Sequence, residues 1–171
     1  DIDSLAFFNA LEFFYPDLYQ SSLAILDIGS EISTLGIVKG GKPQFIRDIS
    51  YGGADLIKRL KRKLGLTTEE ASKKFEDGIE PKSSLEQEII EGLRPLVSEL
   101  RVSLDYYLDQ IQLSDALDLM FLSGQEHSYP LISETLSQNL GLKIQEIDVL
   151  GKIELGAQVD AEIIRQNRML L

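Results

Sequence analysis

The chain has 171 residues, which is within the size of one domain and long enough to bury a substantial core. Hydrophobic residues make up 43% of it and charged residues 26%, a globular composition that excludes a disordered tail. The formal net charge of −11 argues against a general nucleic-acid binder, because such proteins present a basic surface.

The first predicted element is an amphipathic helix over residues 4–15. Its apolar residues recur at helical spacing, Ser4 is a candidate N-cap, and Pro16 is expected to stop the helix. We expect this helix to cover one face of a sheet, although an aromatic-rich stripe also suits a partner-binding face.

Residues 23–50 predict three antiparallel strands joined by short turns at residues 29–31 and 40–43. The first turn carries the candidate chemistry, with Asp27 at the end of a buried strand, Gly29 two residues later and Ser33 on the returning strand. A glycine there lets backbone amides approach an anion, and a hydroxyl adds a hydrogen bond. Asp27 is the candidate ligand of a hydrated Mg²⁺. Because Asp-x-Gly turns are common, an ordinary hairpin also fits this pattern.

Three helical segments are predicted next. Residues 53–64 form a helix capped by Gly65, with a basic run at residues 58–63 that favours a solvated face. A capping box at residues 67–70 starts a short helix that ends near Phe75. A long helical pattern follows over residues 83–111, and Pro95 predicts either two helices or one kinked helix there.

The last third of the chain alternates strands and helices. Residues 116–123 predict a central strand buried on both faces, residues 130–140 a helix, and residues 143–147 a final strand. Residues 150–171 suggest a terminal helix. A strand, a glycine turn and a helix start around Gly124 form a potential anion site. His127 has no companion at metal-ligand spacing and is interpreted as a loop residue.

Three segments together carry a family resemblance. The hairpin at residues 27–33 resembles the second phosphate loop of the actin-like ATPases. Residues 45–53, FIRDISYGG, are similar to the R-[DE]-I-S-[FY]-G-G signature of the PilM family, in the FtsA and PilM branch of that superfamily. Residues 123–130 resemble its adenosine motif S-G-G-x-x-x-x-P, with Gln125 in place of the second glycine. Glu31 also replaces a glycine of many members, and its carboxylate would repel a phosphate.

The resemblance implies an α/β fold of the actin-like ATPase, or ribonuclease H-like, type. Its sheet would be mixed and five-stranded, with an antiparallel three-stranded meander, flanking helices and a small helical insertion. Residues 1–66 and 92–171 would form the main subdomain, and residues 67–91 the insertion. The implied ATP-binding residues are Asp27, which would also bind Mg²⁺, and Gly29, Ser30, Ser33, Gly53, Gly124 and Gln125. The basic run at residues 58–63 is a further candidate, near the base or ribose.

The implied function is that of a cytoplasmic scaffold in type IV pilus or related secretion machinery. It would bind ATP without efficient turnover and reach the inner membrane through a partner of the PilN type. We expect the chain to be the second half of a longer protein whose other half carries the first phosphate loop, so that this chain alone is inactive.

Two alternatives stay open at this point. One is a competent nucleotide-dependent ATPase or switch of the same superfamily. The other is a domain of a GspL-type secretion protein or an FtsA-like cell-division protein. The absence of cysteine fits a reducing compartment, and no apolar run approaches the roughly 20 residues that span a bilayer.

Overall fold

The computed structural model describes residues 3–76, 79–111, 117, 119–124 and 130–147. Its strands are β1 (Ser22–Ile28), β2 (Ser33–Lys39), β3 (Lys42–Ile49), β4 (Leu119–Gly124) and β5 (Ile144–Glu146). Its helices are α1 (Asp3–Phe14), α2 (Pro16–Tyr19), α3 (Gly53–Leu64), α4 (Thr68–Glu76), α5 (Ser84–Ile111) and α6 (Pro130–Leu140).

The described strands form one mixed sheet in the order β3-β2-β1-β4-β5. β1 pairs with β2 in antiparallel and with β4 in parallel orientation, while β2–β3 is antiparallel and β4–β5 parallel. The predicted meander and the two later parallel strands are therefore confirmed. The second turn is shorter than predicted, because Gly40 and Gly41 adopt φ angles of 56° and 71° and reverse the chain in two residues.

Alternating side chains of the central strands build a core on each face of the sheet. On one face, Ala24, Leu26 and Ile28 pack with buried residues of α3, α5 and α6. On the other face, Leu23 and Ile25 pack with buried residues of α1 and α2. β4 is buried on both faces as predicted, although it begins at Leu119 rather than at residue 116, which lies outside the described residues.

α1 confirms the helix predicted at the start of the chain. It lies against the sheet where the ring of Phe8 fits over Gly36 of β2, and both residues are buried. Pro16 ends α1 as predicted, but it also occupies the first turn of the four-residue helix α2, which was not predicted. Proline suits that position because the first helical residues have no intrahelical acceptor for their amides.

α5 is a single helix of 28 residues with Pro95 inside it, so of the two predicted alternatives the structure has one helix and not two separate helices. Pro95 is exposed, whereas Leu93 and Leu96 beside it are buried in the core. A proline inside a helix costs about 3 kcal/mol, and burial of a continuous apolar face on both sides of it offsets that cost.

The remaining predictions divide into three groups. α3, α6 and the short α4 are confirmed, and β5 is confirmed but spans fewer residues than predicted. Gln125, His127 and the terminal helix at residues 150–171 lie outside the described residues. The division into residues 1–66 with 92–171 and an insertion at 67–91 stays a prediction. Within the described ranges, no helix has both the length and the apolar character that a membrane span requires.

The contact between Phe8 and Gly36 makes a testable prediction about the docking of α1. A Cβ atom on Gly36 would lie 2.7 Å from Cζ of Phe8. We expect Gly36→Ala to lower the free energy of unfolding by about 1–3 kcal/mol, because the ring cannot stay in place. Urea denaturation measures this change.

Phe8→Leu is the partner substitution, since the shorter side chain leaves room for the new methyl group. The loss in the double variant should be smaller than the sum of the two single losses. Strict additivity would contradict the proposed contact.

Candidate functional site

The loop between β1 and β2 is closed on itself and held against the start of α3. Within the loop, the amide of Gly29 donates to the carbonyl of Ile32 at 3.2 Å. From α3, the amides of Gly53 and Ala54 donate to the carbonyls of Gly29 at 3.0 Å and Ser30 at 2.8 Å. The first amides of a helix are normally available to an anion, and here two of them bind the loop instead.

Gly52 allows the loop to approach α3 this closely. A Cβ atom at Gly52 would lie 2.3 Å from the carbonyl oxygen of Ser30 and 2.6 Å from the amide nitrogen of Glu31. Its φ of −153° is extended backbone that any residue adopts, so the requirement for glycine is one of space and not of conformation. The amide of Gly52 donates to the carboxylate of Asp55 at 3.1 Å, which caps α3.

Ser33 and Tyr51 extend this attachment into the core. Ser33 is 0% exposed, and its hydroxyl donates to the carbonyl of Tyr51 at 2.8 Å. The phenol of Tyr51 donates in turn to the carbonyl of Gly92 in α5 at 2.9 Å. The predicted phosphate-binding hydroxyl therefore lies in an internal chain of hydrogen bonds from the loop to α5.

The charged residues of the same segment fasten β3 to its neighbours. Arg47 donates to the hydroxyl of Ser103 at 2.7 Å and forms an ion pair with Glu99 at 2.8 Å, both on α5. Asp48 accepts a hydrogen bond from the hydroxyl of Thr34 on β2 at 2.8 Å. The ion pair is exposed and contributes less than about 1 kcal/mol, so its main effect is on the geometry of the edge strand.

Asp27 lies on the opposite face of the sheet from the Ser33 hydroxyl. It is half-buried beside Thr34 of β2 and Ser123 of β4, and it lines a small cavity with Phe7 and Phe8 of α1. The structure therefore does not bring the predicted Mg²⁺ ligand and the predicted phosphate hydroxyl together on one face. The described residues contain no group of three or more acidic or histidine side chains that suits a metal.

Gly124 adjoins the loop at the carboxyl ends of two parallel strands. In the strand register Gly124 pairs with Ile28, the residue before Gly29. It has a φ of 108°, and a Cβ atom there would lie 2.1 Å from the carbonyl oxygen of Ile28. Glycine is thus required both by the positive φ and by the close packing of β4 on β1. This edge of a parallel sheet is where ligands commonly bind.

An open cleft of about 760 Å³ lies beside the loop, with α3 and α4 among its walls. Its lining comprises Ser30, Gly53, Ala54, Ile57, Lys58, Lys61, Arg62 and Thr68. Two predicted site residues, Ser30 and Gly53, are among them, whereas Asp27 and Ser33 are not. The cations of α3 were predicted mainly as a solvated face. The signal that identifies them is their spacing, because Lys61 and Arg62 lie three and four residues after Lys58 on the helix.

The charges around the cleft are unevenly distributed. Lys61 donates to the hydroxyl of Thr68 at 3.1 Å, while Lys58 and Arg62 make no ion pair within the described part of the chain. The pKa of the Glu69 carboxyl is lowered chiefly by a hydrogen bond from its own amide, then by one from Thr67, with Lys61 adding attraction. Among the described residues, the lining thus contains three cations and no acid.

A family model described as Type IV pilus assembly protein PilM matches residues 1–171. Among solved structures, the chain is similar to a PilM-PilN type IV pilus biogenesis complex, with 22% identity, a TM-score of 0.78, and coverage of 97% of this chain and 47% of that chain.

Two actin relatives are also similar in fold. An archaeal actin homolog, Ta0583, has 15% identity, a TM-score of 0.62, and coverage of 86% of this chain and 50% of that one. MreB 5 of Spiroplasma citri bound to AMPPNP has 12% identity, a TM-score of 0.59, and coverage of 81% and 52%. These similarities confirm the predicted actin-like fold class. The chain spans about half the length of the solved chains that it matches.

The close approach of Gly52 to the loop generates a second prediction. We expect Gly52→Ala to lower the free energy of unfolding by about 1–3 kcal/mol, because the new methyl group meets backbone atoms that cannot turn away. The neighbouring Ser50→Ala is the matched control. Because Ser50 is exposed, this substitution should change the free energy of unfolding by no more than about 0.5 kcal/mol. Chemical denaturation compares the two variants, and equal stabilities would show that the loop is not held at Gly52.

Proposed function

The chain belongs to the PilM family of type IV pilus assembly proteins, and from this premise we propose that it acts as a cytoplasmic, actin-like scaffold of pilus machinery. The observation that carries the proposal is the family match over the whole length of the chain. The signature segment at residues 45–53 supports it, because Arg47 and Tyr51 bind α5 and Gly53 binds the loop between β1 and β2.

The polar groups of the loop support a scaffold in preference to an efficient ATPase. Efficient phosphoryl transfer depends on positioned donors that stabilise developing negative charge. In this loop the amide of Gly29 and the hydroxyl of Ser33 already bind partners within the fold. Glu31 is exposed next to them and adds a negative charge. We therefore expect any bound nucleotide to be retained and not rapidly hydrolysed.

ATP with Mg²⁺ is the proposed ligand, and the residues present fit it only in part. The amides of Ser30 and Glu31 make no hydrogen bond within the described residues, so they remain available to a phosphate. Gly53 and Gly124 offer backbone without side chains at the same edge of the sheet. Asp27 fits less well, because it is half-buried and outside the cleft lining, but it is the proposed residue that would hold the metal ion through water. The AMPPNP bound to MreB 5, a structure of the same fold, supports this assignment. The bound ion would supply charge neutralisation at the phosphates.

A partner of the PilN type is proposed from the similar solved structure, which is a PilM-PilN complex. Such a partner would bring the scaffold to the inner membrane. Because the chain spans 47% of that solved chain, the groove that receives the partner is not assigned to residues of this chain.

Calorimetric titration of the full-length protein with Mg-ATP tests the nucleotide part of the proposal. We expect binding, and we expect Asp27→Ala to weaken it by about 1 kcal/mol or more, which is about a factor of five to ten in Kd. Asp109→Ala on α5 is the matched control, because Asp109 is an exposed acid outside the cleft lining and should leave the affinity unchanged.

Phosphate release measured on the same samples decides between scaffold and enzyme. The scaffold proposal expects no turnover above the rate without protein. Sustained hydrolysis that Asp27→Ala abolishes would favour the alternative of a competent ATPase or switch.

A further inference from the structure

The proposed scaffold function does not account for the basic residues of α3 that line the cleft. The helix dipole favours cations in the last turn, which accounts for Lys61, Arg62 and Lys63. Lys58 lies in the middle of α3, where that explanation does not apply. Arg59 is different again, because it pairs with Glu88 of α5 at 2.7 Å and holds the two helices together.

The cleft lining is basic in a strongly acidic protein, and Glu69, which lies near Lys61, is outside that lining. The net charge of the chain is −11, yet the lining residues that the structure describes include Lys58, Lys61 and Arg62 and no carboxylate. Like charges on one helix face repel each other unless an anion lies between them. A concave site lined by one sign of charge concentrates ligands of the opposite sign.

The loop at the same cleft is poorly equipped to bind an anion without help. Two amides at the start of α3 and the amide of Gly29 bind carbonyl groups of the loop itself. Glu31 places a carboxylate at the loop tip. The metal ion would neutralise part of the phosphate charge, and among the described residues that line the cleft all the further positive charge lies on α3.

We propose that Lys58 and Arg62 of α3 are the anion-recognition residues of this cleft and bind the phosphate charge of a nucleotide. This inference rests on the proposed nucleotide binding and names the residues that make it possible despite Glu31. Ala54 and Ile57 give the cleft an apolar floor for the flat part of such a ligand. Guanidinium and ammonium groups form strong, charge-assisted hydrogen bonds with phosphate oxygens.

Lys61 has a supporting role. Its ammonium group is already held by the hydroxyl of Thr68 on α4 at 3.1 Å and lies near the Glu69 carboxylate. Part of its charge is thereby compensated, whereas Lys58 and Arg62 have no ion pair within the described ranges. Substitution of Lys61 should therefore weaken anion binding less than substitution of either of the other two.

Calorimetric titrations of the full-length protein with Mg-ATP, with adenosine and with tripolyphosphate test the inference. We expect Lys58→Gln and Arg62→Gln each to weaken Mg-ATP and tripolyphosphate binding by about 5- to 50-fold, because each removes a charge-assisted contact. Adenosine binding should be unchanged. Lys63→Gln is the matched control, since Lys63 is an exposed cation of the same helix that does not line the cleft.

Glu31→Gln gives a test in the opposite direction. It removes the carboxylate at the loop tip and should tighten Mg-ATP binding several-fold, with a larger effect at low salt because the repulsion is screened by ions. Thermal unfolding of each variant shows whether it is folded. If the Arg62 variant does not fold, Lys58→Gln and Glu31→Gln still test anion recognition by α3.

The outcomes separate this inference from the proposed function. If Asp27→Ala weakens Mg-ATP binding while Lys58→Gln and Arg62→Gln do not, nucleotide binding stands and this inference is overturned. If Mg-ATP does not bind but tripolyphosphate binds and both substitutions abolish that binding, anion recognition by α3 stands and the nucleotide proposal fails. If neither ligand binds, or if Lys63→Gln has the same effect as the other two, the inference is also overturned.

Discussion

The backbone contact between Gly52 and Ser30 is the constraint on which the candidate site depends. There is no room for a side chain between them, since a Cβ atom would lie 2.3 Å from the Ser30 carbonyl oxygen. The contact places the amides of α3 within hydrogen-bonding distance of the loop, so loop and helix behave as one unit. Through Tyr51 the same unit is tied to α5. The shape of the loop is therefore set by packing and does not depend on a ligand.

This attachment has a chemical consequence, because the same polar groups cannot serve the fold and a phosphate equally well. Buried polar groups need partners, and in this loop the partners are the carbonyls of Ile32 and Tyr51. Among the described residues the amides of Ser30 and Glu31 are the loop donors that make no hydrogen bond, and the Glu31 side chain makes the loop more negative. The cleft thus has one wall that defines shape and one wall, α3, that carries positive charge.

Apolar patterns and turn residues were sufficient to predict the strands and the flanking helices, while the mixed five-stranded sheet was implied by the family resemblance. Three β-prone segments separated by two short turns, the second at Gly40 and Gly41, predicted the meander. Contacts between distant residues could not be predicted in the same way. The Ser33 hydroxyl binds a carbonyl 18 positions along the chain, and a local motif does not distinguish that partner from a phosphate. The continuity of α5 through Pro95 likewise depends on burial by other elements.

The position of α3 links these observations. The apolar side of α3 places Leu56 and Leu60 in the core. Gly92 lets α5 approach α3 closely, since a Cβ atom at position 92 would lie 2.6 Å from Cδ1 of Leu56. That packing fixes the rotation of the helix about its axis. Because side chains three or four residues apart share a face, the same rotation directs Lys58 and Arg62 into the cleft. The backbone that carries the cations is held in place before any anion arrives, so binding loses little conformational entropy beyond that of the two side chains themselves.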